Sequence, residues 1–257
     1  MAATAPTTAG EILFEDYLRQ MQYPYEFEKE FPGKSKRPDY TVTRDGHTFL
    51  FDVKDFIENM PLGASCYDPY PRIREKIDEG REKFKQFKEF PCAVVLQNNG
   101  NIFVHLDRPH VVLGAMYGDA GFKVPVWVGN GAPPTEQPPV TQAFLGRGKM
   151  VRGSVQQNTT ISALITLRKV GVGWLRYKKM VKEFPKLSID ETIQAASERY
   201  DNFDLNEEHL GVIVWENAVA RIPLSRTLFT GDYDLRWGVE GQDQTVTFEG
   251  KHLAGLE

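Results

Sequence analysis

The chain has 257 residues, of which 41% are hydrophobic and 26% charged, the balance of a globular protein long enough for one elaborated domain. Its two cysteines, Cys66 and Cys92, cannot form a disulfide framework, which excludes a stapled miniprotein. No run of about eighteen apolar residues is available to span a bilayer, and the formal net charge of −4 argues against a uniformly basic polyanion binder.

The opening residues, MAATAPTTAG, carry neither a basic region nor an apolar core. They predict a loose tail rather than a secretory leader, and a cytoplasmic protein with free thiols. Ile12, Phe14, Leu18 and Met21 then recur at helical spacing. Two β-rich runs follow, over 40–43 and 48–53, separated by Arg44-Asp45-Gly46-His47; an Asp-Gly pair between such runs is a strong hairpin signal. Residues 72–90 read as a charged helix that turns Ile73, Ile77, Phe84 and Phe87 inward. Cys92 to Leu96 is continuously apolar, as a buried strand is. The Gly- and Pro-rich stretch 111–157 reads as long surface loops. Strands are expected over 161–170 and 210–215, with a short helix over 189–200 between them. No internal repeat is present, and a single domain over 1–257 is expected.

Charge is not spread evenly. Residues 146–186 hold ten basic side chains against Glu183 alone. Such a block can hold a polyanion in a chain of negative total charge. Arg147, Lys149, Arg152, Arg176, Lys178 and Lys179 are therefore candidate nucleic-acid contacts, with Trp174 and Tyr177 placed to stack on bases.

The hairpin carries the chemistry. With Asp45-Gly46 as a two-residue turn, paired positions sum to 91, and Asp39 falls opposite Asp52 with β-carbons about 4.5–5.5 Å apart. Alternation puts Asp52 and Lys54 on one face. Two carboxylates so close repel each other, and a hard divalent cation resolves the conflict. Lys54 then stands where it can orient or deprotonate an attacking water and stabilise developing charge. The five histidines show no zinc spacing with either cysteine, and no Gly-rich phosphate loop is present.

Pro38-Asp39, twelve residues, then Asp52-Val53-Lys54 resembles the motif of the PD-(D/E)XK, restriction-endonuclease-like nucleases. The resemblance implies an α/β fold with an αβββαβ core, a central mixed sheet flanked by helices, over about 10–105. Residues 106–257 would elaborate it. It implies that Asp39, Asp52 and the Val53 carbonyl bind Mg²⁺, with Mn²⁺ able to substitute, and that Lys54 is the catalytic lysine. The family's first helix usually supplies one more acid, for which Glu11 and Glu15, one turn apart, are both candidates; spacing to Leu18 favours Glu11. Arg74 and Lys76, early in the following helix, could approach a scissile phosphate, and Gln97 ends the next strand beside the hairpin.

The expected function is a Mg²⁺-dependent endonuclease that hydrolyses DNA. A homodimer would serve if both strands are cut. Two alternatives stand beside it: a catalytically silent nucleic-acid-binding module, and an RNA-directed or ligand-activated nuclease in phage defence.

Overall fold

A computed structural model describes residues 5–57, 68–101, 104–128, 140–152, 155–240 and 245–250. Helix α1 (Ala9–Gln20) starts at a capping box in which the Thr8 hydroxyl accepts from the Glu11 amide and the Glu11 carboxylate accepts from the Thr8 amide. Strand β1 (Tyr25–Phe27), three residues long and unforeseen in the sequence, leads to β2 (Tyr40–Arg44) and β3 (His47–Ile57). The hairpin pairs Tyr40 with Phe51 and Arg44 with His47, the register set by the two-residue turn. Asp45 and Gly46 both have positive φ, 52° and 75°, as a type I′ turn requires.

Helix α2 (Tyr70–Phe84) is shorter than its sequence pattern and precedes β4 (Cys92–Asn99). Helix α3 (Pro109–Tyr117) follows, with hairpins β5 (Asp119–Lys123)–β6 (Thr141–Leu145) and β7 (Val151–Arg152)–β8 (Val155–Gln156). The expectation of surface loops over 111–157 is corrected: the four strands of these hairpins fall within it, and Val111 to Tyr117 at its start are all buried in α3. A helix apolar on every side has no amphipathic stripe for a pattern search to find. Strand β9 (Ile161–Gly171), helices α4 (Val172–Glu183) and α5 (Ile189–Arg199), and strands β10 (Glu208–Glu216), β11 (Leu235–Glu240) and β12 (Thr245–Gly250) complete the described chain.

The architecture is α/β. One mixed eight-stranded sheet runs β1-β2-β3-β4-β9-β10-β11-β12. β1, β2 and β3 pair antiparallel, β3 and β4 parallel, β4 and β9 parallel. The sheet has a core on each face. Phe14, Tyr17 and Leu18 of α1 meet Tyr40, Phe51, Val53 and Val95 on one side. On the other, Ile73, Ile77 and Phe84 of α2 meet Leu50, Phe56, Val94 and the α3 residues. Each such side chain contributes about 1.5–3 kcal/mol on full burial. Gly80 of α2 sits against Val94, where a β-carbon would fall well inside van der Waals contact. Helix and sheet therefore approach closely at the turn that precedes Lys83. No described helix is long and apolar enough to cross a membrane. Cys92 is free and buried; Cys66 lies outside the described residues.

Candidate functional site

Alternation along β3 sends Phe49, Phe51 and Val53 toward α1, and Leu50, Asp52, Lys54 and Phe56 toward α2. Asp52 is fully buried and Asp39 nearly so. Asp39 is oriented by the β3 backbone, since the Val53 amide donates to its Oδ2 at 2.7 Å. Its Oδ1 accepts from the ammonium of Lys83, which also donates to Asp52 Oδ1 at 2.5 Å. The two carboxylates thus share one point in space, and a lysine from α2 holds it. Asp52 Oδ2 is buried without a hydrogen bond, with the Lys54 ammonium 3.0 Å away. Lys54 is 4.0 Å from Glu79 of α2.

The electrostatics divide the pair. Burial and the neighbouring Asp52 push the Asp39 carboxyl up to about 6, against the pull of Lys83. Burial would raise Asp52 too, but Lys83 and Lys54 together hold it below the ordinary carboxylate value. Burial opposes the charge of Lys83, yet Asp52 and Asp39 hold its pKa above the usual lysine range. The group is a compact cluster of two anions and two cations in a site partly closed to water.

Of this cluster Lys54 and Lys83 line a cleft of about 1130 Å³, and the two carboxylates they hold are buried behind them. Lys36, Arg37, Arg74, Arg147, Lys149 and Arg152 line it as well, so eight cationic side chains face five carboxylates there. Part of that charge is internally paired: Arg74 with Asp119 at 2.6 Å, and Lys149 with Asp78. Among the described residues neither Arg147 nor Arg152 has an ion-pair partner, and both are exposed. The loop that presents them is tied to α3 through backbone bonds from Lys149 to Ala115 and from Met150 to Met116. The buried helix absent from the sequence reading is thus what sets the basic loop beside α2.

Lys54, Arg74, Arg147, Lys149 and Arg152 line this cleft, and Asp39, Asp52 and Val53 lie behind it, joined to it through Lys54 and Lys83. It does not bring the others there. Glu11 is committed to the α1 cap, and Glu15 pairs with Arg19 and accepts from the Tyr40 hydroxyl at 3.4 Å, on the α1 face of the sheet. Gln97 also faces α1, its β-carbon beside Gly10. Lys76 pairs with Glu79 at 2.7 Å and does not line the cleft. Arg176 pairs with Glu207, and Lys178 lies over the Trp174 ring, itself stacked on Tyr177. These residues and Lys179 lie on α4, away from the cleft lining. Lys83 is the residue that sequence reasoning passed over. Its signal was its place beside the inward stripe Ile73-Ile77-Gly80-Phe84, which directs it toward the sheet.

The donor set suits a hard divalent cation in kind. Two carboxylate oxygens converge on one point, where Lys83 holds them, and the second oxygen of Asp52 is buried with no hydrogen bond and only the Lys54 ammonium 3.0 Å away; Mg²⁺ commonly takes one or two carboxylates and completes its shell with water and substrate oxygens. Among the described residues no group of three or more His, Cys, Asp or Glu side chains gathers to complete an all-protein cage. No family model, curated protein or solved structure matches the chain.

Proposed function

We propose that the chain is a metal-dependent nuclease with a restriction-endonuclease-like core, and that it hydrolyses phosphodiester bonds in DNA. The observation that carries this reading is the meeting of Asp39 and Asp52 with Lys54 and Lys83, the two lysines through which the buried pair meets a cationic cleft. The run α1, β1, β2, β3, α2, β4 supports it, being the αβββαβ order of that core. Asp39 and Asp52 would hold Mg²⁺, which supplies positive charge at a phosphate and acidifies water. The Val53 amide fixes the rotamer of Asp39. Lys54, balanced between Asp52 and Glu79, would orient the attacking water and stabilise charge developing on phosphorus-bound oxygen. Arg147 and Arg152 would hold flanking phosphates without reading bases.

One observation favours a second reading, a silent nucleic-acid-binding module: the Lys83 ammonium stands at the point the cation would take. A single experiment separates the two. Wild type and Asp52→Asn are incubated with plasmid, linear and single-stranded DNA and with RNA, in Mg²⁺ or EDTA. The nuclease reading expects Mg²⁺-dependent cutting of DNA by the wild type and a loss of at least about 10³-fold in the variant. Binding by both proteins with no cutting of any substrate would establish the silent module instead.

A further inference from the structure

The feature that neither the motif nor the basic block explains is the ammonium of Lys83 between the two carboxylates. We propose that Lys83 is a functional residue of this site: it holds the cation point in the metal-free protein and yields it to a divalent cation, turning into the cleft to face the bound polyanion. The inference rests on the proposed metal site and concerns how that site is filled.

Charge arithmetic carries the argument. As it stands, the cluster of Asp39, Asp52, Lys54 and Lys83 is formally neutral. A divalent cation added with Lys83 in place would leave two uncompensated positive charges among buried groups, which is costly in a medium of low polarisability. With Lys83 withdrawn, one positive charge remains, and a single phosphodiester neutralises it. Cation entry, lysine withdrawal and phosphate binding therefore favour one another, and the coupling is reciprocal.

The structure also gives Lys83 somewhere to go. It lies in the last turn of α2, its side chain is 20% exposed, and it already lines the cleft. Its four-carbon stem can carry the ammonium from the carboxylates toward solvent without moving the helix. Asp39 and Asp52 cannot follow, because one is held by the Val53 amide and the other is fully buried. The exchange thus moves a flexible side chain past two fixed ones.

A merely structural ion pair predicts something different: loss of Lys83 would weaken the fold and leave cation affinity as it was. The test is a calorimetric Mn²⁺ titration of the full chain, run on wild type, Lys83→Met, Lys83→Gln and Asp52→Asn. Thermal unfolding is followed in EDTA and in Mn²⁺, and the titrations are repeated with a twelve-nucleotide phosphorothioate DNA strand. Lys83→Met should bind Mn²⁺ at least about tenfold more tightly than wild type, because no ammonium has to be displaced. Its unfolding temperature should fall in EDTA and recover more in Mn²⁺ than that of the wild type. The oligonucleotide should raise Mn²⁺ affinity more in wild type than in Lys83→Met. If Lys83→Met does not fold, Lys83→Gln, which keeps a hydrogen-bond donor, is expected to show the same order. Equal Mn²⁺ affinity in wild type and the Lys83 variants would overturn the exchange while leaving the cation site in place. Absence of binding in all of them, Asp52→Asn included, would overturn the exchange and the metal site together.

Discussion

The two faces of β3 are built from alternate residues of one strand, yet they do different work. Toward α1 the strand offers Phe51 and Val53 to an apolar core, and the acids nearby are spent on structure: Glu11 on a helix cap, Glu15 on Arg19. Asp55, also on this face, accepts from the Gly10 amide at 3.2 Å. Toward α2 the same strand buries Asp52 and partly buries Lys54, and its partner acid Asp39 is tied down by a backbone amide. A buried charge cluster is expensive where leucines would pack at no such cost, which is what the proposed function accounts for. The contrast teaches that carboxylates near the motif in sequence are not thereby near it in space; side-chain parity on the strand decides.

The sharpest way to break that contrast is to push α2 off the sheet. Gly80→Val places a branched side chain against the buried Val94, and overpacking there should cost about 2–4 kcal/mol. It should also carry Lys83 away from Asp39 and Asp52, so the urea midpoint and the proposed nuclease activity would fall together. A variant as stable as wild type would mean that the close approach at Gly80 does not hold the α2 face together.

A smaller effect should follow pH. The Asp39 carboxyl is raised from an ordinary 3.8 to about 6, so the folded chain binds its proton more tightly than the unfolded chain does. Its contribution is full below about 3.8 and is lost as pH rises through about 6. Asn cannot ionise, so Asp39→Asn should gain stability relative to wild type between pH 4 and pH 7, by no more than roughly 3 kcal/mol. Asp52 has the opposite sign and remains in both proteins, although Lys83 and Lys54, and to a lesser extent Asp39, hold it down. Urea midpoints measured at unit pH steps check this, and parallel curves would show that Asp39 is not the group under strain.

The basic block admits a comparison of its own. Arg147 and Arg152 are in the cleft, whereas Lys178 and Lys179 are on α4. Arg147→Ala with Arg152→Ala should weaken DNA binding about tenfold and reduce the salt slope by roughly 1.4–1.8, as expected for two lost phosphate contacts. Lys178→Ala with Lys179→Ala should leave that slope nearly unchanged. The reverse order would move the polyanion track from the cleft to α4.

Much of the α2 face was legible because it is local. A two-residue turn sets the hairpin register, and just past its last pair, Tyr40 with Phe51, Asp39 and Asp52 meet on the same lysine. The missing parts depend on contacts distant in sequence. β1 is three residues of Tyr-Glu-Phe, too short for a periodic signal, and becomes a strand only by pairing with β2. Lys83 looked like any other basic residue of α2 until Gly80 showed how closely that helix meets β4. The side of the sheet on which α1 packs is a fact of chain crossing, and no spacing within 9–21 encodes it. That is why Glu11 and Glu15, which the family resemblance offered for the site, could not be told from the sequence to lie on the other face.

The gentlest variant therefore tests the contrast most directly. Glu15→Gln keeps the volume and an acceptor for the Tyr40 hydroxyl while removing the charge that pairs with Arg19. Because Arg19 is largely exposed, the loss should be less than about 1 kcal/mol. The proposed nuclease activity should stay within about twofold of wild type, since the sheet separates Glu15 from Asp52 and Lys54. A loss of tenfold or more with an unchanged unfolding midpoint would mean that the acid acts through Tyr40 on the neighbouring Asp39, and that the sheet does not insulate its two faces.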